Sequence, residues 1–171
     1  MDLSDRLVEH EYWHTARLLD QAAELPDGAL DQPVRPGLVI HEFEGPEPDL
    51  RTMLERIIFT KEVWTAAIEG EEVPPRDDQT VAGLRARLDR VQPHFAALVA
   101  RIRDRREWDE TFTDALCTPP VSFTYGGVIA HILTVSVVRR QNVIEGLRAL
   151  GIENVEVRDP IEWERLREGS R

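Results

Sequence analysis

The fold is decided by residues 123–150, FTYGGVIAHILTVSVVRRQNVIEGLRAL. Gly126 and Gly127 stand near its start and Gly151 lies just past its end. On a wheel drawn at about 100° per residue, Val128, Ile132, Val135, Asn142, Val143 and Leu150 share one side, which predicts an amphipathic helix. His131 borders that side. Arg139 falls near its middle. A charged residue inside an apolar stripe either snorkels to water or belongs to a site. The functional reading of the chain turns on which of the two applies.

Upstream of this helix, residues 108–124 read as extended. Asp109, Glu110 and Asp114 recur there without helical spacing. Cys117, the one cysteine, precedes a proline pair and reads as a small buried hydrophobe. Before it lies the clearest helix of the chain, capped by Thr80. Val81, Leu84, Leu88, Val91, Phe95, Leu98 and Ile102 alternate by three and four residues, as a bundle seam does. Pro93 inside it predicts a kink, and His94 flanks the seam. The preceding helix starts near Pro48-Asp49 and stops at Gly70. Leu50, Leu54, Ile57, Trp64 and Ile68 form its buried line. Lys61 falls on the same line and reads either as lying where the stripe reaches the bundle rim or as a pocket cation.

The first helix runs from about Leu3 to Leu25, capped by Asp2 or Ser4. Leu3, Leu7, His14, Leu18, Ala22 and Leu25 share a face, with His10 beside it. Pro26-Asp27-Gly28 ends it. The connection that follows is long and rich in proline, and a loop of that length is more often functional than idle. His41 within it, next to Glu42 and Glu44, reads as solvent-facing. At the other end, Asp159-Pro160 starts a short helix that should dock Ile161, Trp163 and Leu166 on the bundle. Together these elements predict an all-α four-helix bundle with a long first connection and a short C-terminal helix.

A chain of 171 residues is sized for a single domain, 1–171, since domains commonly run to about 100–200 residues. Its formal net charge of −11 argues against nucleic acid, which demands a basic face, and against anionic membranes. No run approaches the roughly 18 apolar residues of a span, and no signal peptide is visible. A lone cysteine cannot form an internal disulfide, which points to a cytoplasmic protein. Lys61 is the sole lysine.

The stretch GGVIAHILTVSVVRRQ followed by LRALG resembles the last bundle helix of the DinB-like (DinB/YfiT) superfamily. MLERIIFTKEVW is similar to that family's second helix. The similarity covers roughly residues 5–151. It implies a homodimer and a divalent metal held by three histidines, with thiol-dependent transferases or isomerases among the members of assigned activity. The chain departs from this pattern at the metal. The early helix-two position falls in the window Glu55, Arg56 and Ile57, and the two later helix-four positions fall on Val135 and Arg139. Only His131 matches a family histidine. Valine and an always-protonated guanidinium cannot coordinate an ion.

Two readings of the chemistry follow. In the first, the protein binds a small anionic or thiol-type molecule without a metal or other cofactor. Arg139, Arg56, His131, Glu55 and His14 then line an inter-helix pocket. A buried Arg139 must be paired, and Glu55, Glu62 and Asp114 are the candidate partners. In the second, the protein is a thiol S-transferase or isomerase. Its zinc or nickel is relocated to His14, His131 and a carboxylate, Glu55 or Asp114. The i, i+4 pair His10 and His14 could add a ligand. Whether the chain is an enzyme at all depends on this choice.

Overall fold

The computed structural model describes residues 1–114, 118–156 and 159–169. Cys117 lies outside them. The elements are helices α1 (Leu3–Ala22), α2 (Leu50–Glu69) and α3 (Val81–Arg105), strands β1 (Thr111–Asp114) and β2 (Val121–Thr124), then α4 (Tyr125–Ala149) and α5 (Pro160–Gly169). Two short 3-10 turns, Asp27–Asp31 and Glu42–Glu44, interrupt the first connection.

Local chemistry sets the helix ends. Asp2 and Asp5 form a reciprocal capping box at the start of α1. Asp49 accepts the Thr52 N–H at 2.8 Å. Thr80 Oγ1 accepts the Gly83 N–H, Thr124 Oγ1 that of Gly127, and Asp159 that of Glu162. Each removes an orphan donor from a first turn. Gly70 closes α2 at φ +70°, a left-handed conformation that favours glycine. Pro93 stands inside a single continuous α3.

Among the described residues, α1 packs on α3 and α4, and α2 packs on the same two helices. So α1 lies diagonally across from α2, and α3 across from α4. Both diagonal crossings are long. The first is residues 23–49, which folds back on itself: Pro48 carbonyl accepts the N–H groups of Val34 and Arg35, and Leu38 carbonyl accepts that of Glu47. The second holds the antiparallel hairpin β1–β2, with Thr111 opposite Thr124 and Phe112 opposite Phe123. The step from α2 to α3 joins neighbours. At one end α2 and α4 approach so closely that a Cβ on Gly146 would stand 2.6 Å from Leu50 Cδ2.

The core has two apolar halves. One contains Leu18, Leu19, Met53, Leu54, Ile57, Leu84, Leu88, Val143 and Leu147. The other contains Val8, Phe95, Leu98, Val99, Ile102, Val128 and Ile132. Between the halves lie buried Glu11 and Thr15 of α1, Thr60, Lys61 and Glu62 of α2, and Ser136, Arg139 and Arg140 of α4. A charged layer thus crosses the middle of the bundle.

Four expectations are corrected. Phe123 belongs to β2, and α4 begins at Tyr125. Leu3 and Leu7 are exposed, although Asp2 and Asp5 of the same turns pair with Arg103 of α3. On α5 only Trp163 docks; Ile161 is 72 % and Leu166 48 % exposed. Lys61 is not at the rim but fully buried. Among the described residues, no helix is long and apolar enough to cross a membrane.

Candidate functional site

Arg139 stands at 0 % exposure in the charged layer. Its Nε and Nη2 grip Glu47 at 2.8–3.1 Å, and Nη2 also pairs with Glu44. Its Nη1 donates to Thr60 Oγ1 at 2.6 Å and to the Arg56 carbonyl at 3.3 Å. Arg56 completes the group, donating to the Gly45 carbonyl at 2.7 Å and pairing with Glu47 at 3.4 Å. Burial raises the Glu47 carboxyl to about 7, and Arg56 offsets only part of that shift. Burial also lowers the Arg139 guanidinium. The bidentate contact favours the doubly charged pair. Both carboxylates come from the first connection, so this cluster fastens that connection to α2 and α4. The expected partners of Arg139 were Glu55, Glu62 and Asp114. Glu55 instead holds Arg76 and Arg87, and Glu62 holds Arg87.

On the α1 side, Glu11 accepts from Lys61 and from Thr15 Oγ1 and lies 3.3 Å from Arg140 Nη1. Burial opposes charge on Glu11, and Lys61 with Arg140 outweighs it, so its carboxyl is held below the usual range. His14 Nε2 donates to the Glu156 carbonyl at 3.2 Å. Burial, then Arg140, pulls the His14 imidazole down to about 4.

A cavity of about 830 Å³ opens between α2, the hairpin, α4 and the first connection. Phe59, Val63, Trp64 and Ala67 of α2, with Phe123 and Val128, give it an apolar wall. Trp64 meets the Phe123 ring edge-on at 5.5 Å, and the Arg76 guanidinium lies 4.1 Å over the Phe59 ring. The polar groups are His41, Glu44, Arg56, Arg76, Asp114 and His131. His41 is not solvent-facing: its ring centroid is 4.8 Å from that of His131, which also meets Trp64 at 5.9 Å. Burial lowers both imidazoles; His131 is lowered further by His41, and His41 by Arg139. An apolar cavity of this size with a few convergent polar groups matches the form of small-molecule sites.

Of the five residues expected in the pocket, His131 and Arg56 line this cavity. Arg139 sits one layer deeper, behind Glu44 and Arg56. Glu55 is consumed by its arginine pairs. His14 lines a different cavity, between α1, α4 and α5. His14 and His131 therefore line separate cavities. Sequence reasoning missed Glu44, Glu47, His41 and Arg76. The acidic run Glu42, Glu44 and Glu47, in a connection facing an inward arginine, was the available signal for the first two.

The chain is thus a helical-bundle protein with a large cavity beside a buried ion-pair layer. The family model of the DinB superfamily matches residues 12–134. The chain belongs to the DinB superfamily. None of the curated proteins matches it. Where the resemblance places the later metal ligands of the last helix, beyond the matched residues, this chain has Val135 and a fully ion-paired Arg139. These side chains do not suit a metal ion. Among the described residues, no three His, Cys, Asp or Glu side chains are grouped to hold one.

Proposed function

We propose that this DinB-superfamily chain is a cytoplasmic binding protein whose α2–α4 cavity takes a small organic molecule with an apolar body and an anionic or thiol head. The observation that carries this reading is the pairing of an aromatic wall with Arg56, Arg76 and two histidines around one volume. The wall suits an apolar body through stacking and burial. Arg56 and Arg76 suit an anionic head. His41 and His131 are neutral near pH 7, because burial lowers both, and each offers one donor and one acceptor. The homodimer implied by the family resemblance is part of the same proposal; light scattering that finds only monomer at micromolar concentration removes it. Metal-dependent thiol transfer with relocated ligands is the rival. It gains no support from a structure in which His14 and His131 line separate cavities.

The test uses 1-anilinonaphthalene-8-sulfonate, which combines an aromatic body with one anionic group. Wild-type protein should bind it saturably at one site per chain, read by its fluorescence. Val63→Trp and Ala67→Phe, which fill the cavity, should weaken binding about tenfold or more. Circular dichroism checks that both variants keep their helices. Binding that is unsaturable, or unchanged in both variants, contradicts the proposal.

A further inference from the structure

Arg140 is 4 % exposed and lines a second cavity, of about 290 Å³, between α1, α4 and the start of α5. Among the described residues all its polar contacts run through Nη1, to the Glu11 carbonyl at 3.4 Å and to the Glu11 carboxylate at 3.3 Å. Glu11 is already shared with Lys61 and Thr15. The next buried carboxylate, Glu62, is held by Arg87. Two buried cations, Lys61 and Arg140, thus divide one carboxylate.

The other edge of a guanidinium, Nε with Nη2, is the fork that matches a carboxylate in geometry. This chain uses that fork repeatedly. In Arg17 it holds Glu156, in Arg51 Asp31, and in Arg76 Glu55. In Arg87 it holds Glu62, and in Arg139 Glu47. In Arg140 no acceptor among the described residues meets it. Leu7, Leu133, Val137 and Ile144 supply the apolar wall of the same cavity. Of the other polar groups there, Asp159 caps α5 by accepting the Glu162 N–H at 2.8 Å. His14 spends its Nε2 proton on Glu156.

We infer that this cavity binds a small monocarboxylate with a short apolar tail, its head on the Nε–Nη2 fork of Arg140 and its tail against Leu133, Val137 and Ile144. The site is distinct from the α2–α4 cavity. Its ligand is set by a fork that takes two oxygens in one plane and by a volume too small for a large body.

The test titrates butyrate into the full chain at pH 7 by calorimetry, with butanol as the uncharged control. Butyrate should bind at one site per chain, about tenfold or more tighter than butanol, as a charge-assisted pair requires. Arg140→Gln should lose about tenfold or more of that affinity. It should also fold, because Lys61 keeps Glu11 paired. Arg140→Lys keeps the charge but loses the fork, and should also bind more weakly. Val137→Trp, at an exposed cavity wall, should block butyrate, while Val63→Trp in the other cavity should leave it unchanged. Butyrate binding no tighter than butanol, or equally well in both Arg140 variants, overturns the inference. So does a change of oligomeric state in Arg140→Gln without any butyrate binding in wild type, because a carboxylate of a second copy then meets the fork.

Discussion

Arg139 and Arg140 are chain neighbours on one helix, both buried, yet they end in opposite conditions. A helical step of about 100° turns the first toward α2 and the long connection, and the second toward α1. Arg139 finds Glu44, Glu47, Thr60 and a carbonyl, and every one of its N–H groups is used. Arg140 finds one carboxylate that Lys61 already holds. A buried guanidinium needs counter-ions delivered by the fold. Where two arrive, the residue becomes a fastener. Where half of one arrives, the residue keeps an open fork toward a cavity.

The largest expected effect tests the closed side. Arg139→Ala leaves Glu47 buried without its bidentate partner and should cost about 3–5 kcal/mol in a urea titration. The same variant should speed proteolysis of the first connection, which loses its anchor. A cost under about 1 kcal/mol would show that the network does not fasten it.

Arg140→Ala should cost less, about 1–2 kcal/mol, because Glu11 keeps Lys61 and Thr15. Equal losses in the two variants, measured side by side, would erase the distinction between fastener and open fork.

The pH profile probes the same side. Folded His14 stays unprotonated down to about pH 4, whereas unfolded it takes a proton below about 6.5. The unfolded state therefore binds more protons across that window, and stability falls as pH drops from about 6.5 to 4. His41 and His131, lowered by burial too, act with the same sign. Glu47, raised by burial to about 7, acts with the opposite sign over much of the window, so the histidine contribution is read as a difference. Stability, followed by the thermal midpoint, should fall more on acidification in wild type than in His14→Asn. A His14→Asn variant that loses as much stability on acidification as wild type would contradict the neutral, buried state of this ring.

Ser136 carries the smallest effect. Its Oγ is buried in the charged layer without a hydrogen-bond partner among the described residues, so Ser136→Ala should change stability by at most about 0.5 kcal/mol, or raise it. A loss above about 1 kcal/mol would mean that the hydroxyl serves the arginine layer after all.

Much of the fold was legible because its signals are local. The seam from Val81 to Ile102, the caps Asp2, Thr80 and Asp159, and the stop at Gly70 all act within a few residues. The inward position of Arg139 was legible by the same periodicity. Its partners were not, since Glu44 and Glu47 lie more than ninety residues away in a connection with no period. The hairpin was read only as extended chain, since its strands of four residues each are too short for alternation to speak. The pairing of His41 with His131 depends on how the connection folds over the cavity, and a helical wheel carries no information about that. On α1 the apolar stripe continues to Leu7 and Leu3, which are exposed; periodicity gives the side of a helix and not how much of it a neighbour covers.

An arginine–carboxylate network stands where the family resemblance places a metal, and on the proposed function the cavity is left to an organic ligand. Elemental analysis of untagged, chelator-washed protein tests this most directly, with His131→Ala analysed in parallel. Well under one zinc or nickel per chain is expected, with no difference between wild type and the variant. Near-stoichiometric metal in wild type that disappears in His131→Ala would contradict it.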